Sequence, residues 1–154
     1  MRITKSSPEL RALIKKFEGC KLSAYLCPAK IPTIGFGSTY YADGKRVKMG
    51  DTLTQEQADK LLTDTLITYE LFVDVNTRDD ITQGMFDALV DFAYNCGNAN
   101  LKSSTLLKKV NVNPKDSAIQ DEFLKWTRAN GKILQGLINR RKAEVELYFN
   151  FQPK

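Results

Sequence analysis

No histidine occurs anywhere in the 154 residues. That absence removes Ser-His and Cys-His nucleophile pairs and every metal site built on imidazole. Cysteine is scarce as well. Cys20, Cys27 and Cys96 are too widely spaced for a zinc site, and their odd number argues against a fully paired disulfide framework. No apolar run approaches the roughly 18 residues that cross a bilayer, and the first eight residues lack the apolar core of a signal peptide. The chain is therefore expected to fold in the cytoplasm with its thiols reduced. Long basic runs are missing too. The net charge of +5 is scattered, so an anionic partner or surface is expected but not nucleic acid, and no stable membrane insertion. Catalysis is left to carboxylates, thiols, hydroxyls and cations, and no cofactor or metal is expected.

What is present suits one folded domain. Hydrophobic residues make up 42% and charged residues 27%, a balance that supports a buried core and argues against disorder. Ser7-Pro8-Glu9 signals a helix start, and Leu10, Leu13, Ile14 and Phe17 form one apolar stripe that Gly19 ends. Glu18 then falls in the last turn, at the negative end of the helix dipole, where a carboxylate is disfavoured. Residues 20–50 hold short β-branched and aromatic runs punctuated by glycine and proline, with an Asp43-Gly44 turn, and predict a small antiparallel sheet of two or three strands.

From Thr54 onward the pattern reads as helix to the end. A capping box at Thr54–Gln57 opens a long helix to about Val73. Thr82 caps an apolar helix carrying Met85, Phe86, Leu89, Phe92 and Ala93, and Ser103 or Ser104 opens a short one. Asn113-Pro114 is read as the start of a helix bearing Ile119, Phe123, Leu124 and Trp126, and Gly136 to Phe149 as the last. The expected class is α+β, a single domain over residues 1–154. A sheet-bearing lobe (about 12–53) is joined by the long helix (about 55–73) to an all-helical lobe (about 82–150), on which the first helix packs.

Three polar positions fall at the helix-to-sheet junction: Glu18, Cys27 nine residues on, and Thr33 six beyond that. Cutting a glycosidic bond needs an acid for the leaving oxygen and a second group to manage water or the developing cation. Apolar neighbours such as Phe17 are what an acid working near neutral pH requires.

The runs Glu18-Gly19-Cys20-Lys21-Leu22-Ser23-Ala24-Tyr25 and Pro32-Thr33-Ile34-Gly35-Phe36-Gly37-Ser38-Thr39 resemble the signature of phage-type lysozymes, glycoside hydrolase family 24. Similar stretches follow in order at Gly50–Thr54, Phe92–Gly97, Ser104–Leu107 and Trp126 with Gly136–Glu144. The resemblance implies a lysozyme-like fold and a monomeric endolysin. Such an enzyme cleaves the bond between N-acetylmuramic acid and N-acetylglucosamine in peptidoglycan, reaching the wall through a separate pore. It implies a catalytic trio at Glu18, Cys27 and Thr33, with cysteine where aspartate is commoner, and net inversion. It also implies an arginine that pairs with Glu18, assigned to Arg140 over Arg141, although arginines on a helix are by default exposed.

Alternatives remain at this point. A lytic transglycosylase would cut the same bond without water, and a wall-binding module would not cut it. Cys20 and Cys27 read either as two thiols or as a regulatory disulfide, on the premise that a hairpin brings their Cα atoms within about 4.4 to 6.8 Å. Cys96 reads as a buried apolar residue and Trp126 as core.

Overall fold

The computed structural model describes residues 2–150. In chain order the elements are α1 (Pro8–Glu18), β1 (Lys21–Leu26), β2 (Pro32–Gly35), α2 (Gln55–Asn76), α3 (Gln83–Cys96) and α4 (Asn98–Ser103). They continue with α5 (Thr105–Val112), α6 (Ile119–Leu124), β3 (Arg128–Ala129), β4 (Lys132–Ile133) and α7 (Gln135–Tyr148). The chain forms two compact units: Arg11–Thr68, and the residues up to Leu10 together with those from Tyr69 onward. Both divisions fall inside helices, so only the first turn of α1 belongs with the helical unit.

In the 11–68 unit, β1 and β2 pair antiparallel, with Tyr25 opposite Thr33 and Leu26 opposite Pro32. Bridges at Ser23–Thr52 and Tyr40–Arg46 extend this small sheet. The Asp43-Gly44 turn forms as the sequence suggests. Gly44 takes φ +86°, and the Lys45 N–H donates to Asp43 Oδ1 at 3.0 Å. Such a sheet has little apolar material of its own. Ile34 and Val47 therefore pack with Leu61 of α2, flanked by Ala24, Tyr41 and Leu53. The start of α2 is the expected reciprocal box: Thr54 N–H donates to Gln57 Oε1 at 2.8 Å, and Gln57 N–H to Thr54 Oγ1 at 3.1 Å.

The helical unit is built round α3, whose N-cap Thr82 accepts from Met85 N–H at 3.2 Å. Phe92 of α3 meets Trp126 edge-on at 5.3 Å and Phe123 at 6.0 Å, so the half-buried Trp126 lays its ring against the core. Ser104, one of the two expected starts, caps the short α5 by accepting from Leu107 N–H at 3.1 Å. Two readings need correction. The lobe is not all helical, because β3 and β4 form a hairpin whose Asn130-Gly131 corner holds φ +53° and +76°. And α6 begins at Ile119, not at Asn113-Pro114. The Asn113 side chain accepts from Lys115 N–H at 3.1 Å, which makes a local turn in place of a helix start.

Candidate active site

Glu18, Cys27 and Thr33 all lie in the 11–68 unit, placed there by the end of α1 and the β1–β2 hairpin. α1 stops at Glu18 because Gly19 turns left-handed (φ +67°) while its N–H closes on Lys15 O at 3.0 Å. The Glu18 side chain is half-buried, unlike the solvated carboxylate usual at a helix end. It rests on the backbone of Gly37. A Cβ added there would stand 2.7 Å from Glu18 Oε1, and Gly37 holds φ +87°. Gly37 is therefore fixed as glycine twice over, by conformation and by the carboxyl that fills the space of its missing side chain.

Across the hairpin, Cys27 opens the turn that joins β1 to β2. Lys30, at φ +62°, sends its N–H to Cys27 O at 2.7 Å, and Cys27 N–H donates to Ile31 O at 3.1 Å. This curl aims donors at the sulfur. The backbone N–H of Ile31, then that of Ala29 and the hydroxyl of Thr33, stabilise the thiolate against partial burial and hold the Cys27 thiol below its ordinary pKa. Thr33 is buried, and its hydroxyl donates to Ile31 O at 2.9 Å. A hydroxyl has one proton, so Thr33 either keeps that bond or turns to the ionised sulfur, leaving its lone pairs for a water.

Tyr25, on the same strand face as Cys27 and opposite Thr33, was not singled out from sequence. Burial, followed by the charges of Glu18 and Cys27, raises its phenol above the usual range, so its ring stands in the electrostatic field of both groups. The signal was available in the two-residue period of β1. Gly37 was quoted within a motif, but only the folded backbone reveals its contact with Glu18.

A Cys20–Cys27 disulfide is not compatible with this strand. The two residues flank β1 at opposite ends, and even with the bulge between Lys21 and Tyr25 the strand keeps them well beyond the roughly 7 Å a bridge allows. The expectation assumed a hairpin between them, but the hairpin turn lies beyond Cys27. Both are free thiols, and Cys20 Sγ lies 3.7 Å from Gln55 Nε2.

The arginines are not on the surface. Arg140 and Arg141 are 4% and 0% exposed, and both sit in the helical unit. Arg140 donates from Nε and Nη2 to both oxygens of Asp91, at 3.0 and 2.9 Å. Arg141 donates to Glu144 Oε2 (2.9 Å), Asn95 Oδ1 (2.7 Å) and Cys96 Sγ (2.6 Å). Cys96 is thus a half-buried hydrogen-bond acceptor and not the apolar filler expected.

Against known proteins, residues 15–144 match the Phage lysozyme family. The chain belongs to that family. By membership it is a lysozyme, a glycosidase, and its α+β architecture is the family's. It is 42% identical over 144 residues to an endolysin of Bacillus phage B103, which covers 92% of this chain and 53% of that protein. To an endolysin of Acyrthosiphon pisum secondary endosymbiont phage 1 it is 39% identical, over 88% of this chain and 92% of the other. The structure of an endolysin from Escherichia coli O157:H7 phage FAHEc1 superposes with TM-score 0.87 and 34% identity, each chain covered in full. The chain spans about half the length of the Bacillus phage relatives it matches and nearly all of others. Among the described residues, no helix is long and apolar enough to cross a membrane.

Proposed function

We propose that this chain is an endolysin. It acts as a monomeric muramidase that hydrolyses the β-1,4 bond between N-acetylmuramic acid and N-acetylglucosamine of peptidoglycan, reaching the wall through a separate pore. Glu18 gives its proton to the leaving oxygen. Cys27, as the thiolate its donors favour, takes a proton from the water that attacks the anomeric carbon, and the Thr33 hydroxyl orients that water. Attack from the side opposite the leaving sugar inverts the anomeric centre. Tyr25 stands in the field of both the acid and the sulfur. The observation that carries this reading is one unit holding a half-buried carboxyl against Gly37 and a hydrogen-bonded sulfur beside Thr33.

Product analysis tests it. Digested wall should carry new reducing ends of inverted configuration, whereas anhydro-muramic ends would make the enzyme a transglycosylase.

Two further outcomes follow from the same geometry. Gly37→Ala strains a left-handed backbone position and pushes on Glu18 Oε1, so kcat should fall by about a hundredfold while the fold survives. Steady-state kinetics beside a thermal melt checks this. Alkylation of Cys27 by iodoacetamide should show a midpoint below that of an ordinary thiol, because its donors favour the charged form. Cys96, whose thiol burial pushes up, should stay unmodified over the same pH range. Mass spectrometry of the labelled peptides reads both.

A further inference from the structure

The segment from Tyr40 to Asp51 borders an open surface hollow of about 530 Å³, lined by Tyr41, Lys45, Arg46, Lys48 and Asp51, in the same 11–68 unit as Glu18. None of these residues enters the proposed chemistry. The one acid in the lining is already committed. Asp51 Oδ2 accepts the Tyr41 hydroxyl at 2.7 Å and the Lys48 backbone N–H at 2.9 Å. Those bonds hold its carboxyl below the usual range, while burial and the same carboxylate push the Tyr41 phenol to about 12. Asp51 therefore shapes the pocket wall.

The cations are differently placed. Lys45 reaches a carboxylate only at 3.9 Å, that of Asp43. Among the described residues, no salt bridge joins Arg46 to any acid, and Lys48 reaches Asp51 only through its field, which helps keep that carboxyl low. Arg46, though exposed, is oriented by Tyr40. Its Nε and Nη2 donate to the Tyr40 hydroxyl at 3.2 and 2.9 Å, and its guanidinium lies 5.2 Å from that ring's centre. A cation oriented by an aromatic ring but not neutralised is ready for an anion, and three cations against one carboxylate leave the lining positive. The volume suits an organic group, since pockets for such ligands run from about 300 to 1,000 Å³.

The geometry points to a subsite in which Arg46, Lys48 and Lys45 bind the carboxylates of the peptide stems that hang from the glycan. This rests on the peptidoglycan reading above. Stems are joined to the muramic ring itself, so any glycan held by the enzyme presents them. Phosphate-bearing wall polymers are anchored only here and there along it.

The test compares wild type with Arg46→Ser/Lys48→Ser on three substrates: intact sacculi, sacculi stripped of phosphate polymers by hydrofluoric acid, and glycan strands freed of stems by an amidase. Lys108→Ser/Lys109→Ser, which removes the same charge from α5, is the control. The variant should raise KM about fivefold on both kinds of sacculi with kcat unchanged, and should leave the stem-free glycan unaffected. The inference is overturned if KM does not change on sacculi, if the control raises it equally, or if hydrofluoric acid abolishes the effect. Turnover of stem-free glycan reports on the muramidase reading by itself. A second measurement needs no variant. Titrating the wild type with a synthetic Ala–γ-D-Glu–Lys tripeptide should shift the backbone amides of residues 40–51, and their silence at millimolar peptide would also overturn it.

Discussion

Glu18→Gln is expected to lower turnover of peptidoglycan by about a thousandfold while the protein stays folded. The amide keeps the shape of the carboxyl, so the half-buried side chain can still rest on Gly37. What it loses is the proton. An amide cannot protonate the departing sugar oxygen, and a sugar alkoxide is a poor leaving group. Stability should stay close to that of wild type, because the amide keeps the side chain's shape and packing. A melt within error of wild type beside lost clearing of permeabilised cells is the expected pair of results. Near-normal turnover would end the assignment.

Arg141→Ala should be the most destabilising single change, at about 3–5 kcal/mol. Arg141 is fully buried, its Nε lies 2.7 Å from Glu144 Oε1, and its guanidinium sits 5.1 Å from the centre of the Phe92 ring. Truncation strands the acceptors of Glu144, Asn95 and Cys96 without water. It also removes a large buried side chain from the core. At 2–4 °C per kcal/mol for a chain of this size, the melting temperature should drop by about 10 °C.

The neighbouring acids add a pH signature. Burial, with Asp91 alongside, drives Glu144 well above its ordinary value of 4.5. Burial opposes an Asp91 carboxylate, yet hydrogen bonds from Glu144 and Arg140 keep Asp91 low. The folded pair thus retains one proton that the unfolded chain releases above about pH 4.5, so this pair's contribution declines as pH rises past that value. Thermal melts across pH 4 to 9 read the trend.

Local chemistry was legible wherever a residue acts on its own neighbours. Thr54 and Gln57 cap each other within three residues, Thr82 caps α3, and Asp43-Gly44 closes its turn. Glu18, Cys27 and Thr33 read as one junction because a helix stop followed by a single hairpin is a local pattern, and all three fall in one unit with the Thr33 hydroxyl at the Cys27 sulfur. The failures lie where partners are far apart in sequence or where a short signal lacks a flanking pattern. Arg141 looks like a surface arginine until Asn95, 46 residues away, is folded against it. Asn130-Gly131 is a strong hairpin dipeptide, but strands of two residues each carry no alternation to support it. The disulfide expectation failed on topology: strand β1, bulged between Lys21 and Tyr25, separates Cys20 from Cys27, and the hairpin turn comes only afterwards.

The proton-donor role of Glu18 is tested most directly by changing the leaving group. Wild type and Glu18→Gln are compared on two glycosides of one muramyl oligosaccharide, the first ending in a sugar and the second in 2,4-dinitrophenol, which departs without a proton. The account predicts that the variant fails on the sugar and recovers most of its rate on the dinitrophenyl glycoside. Equal loss on both substrates would contradict it, because Glu18 would then be doing something other than giving up a proton.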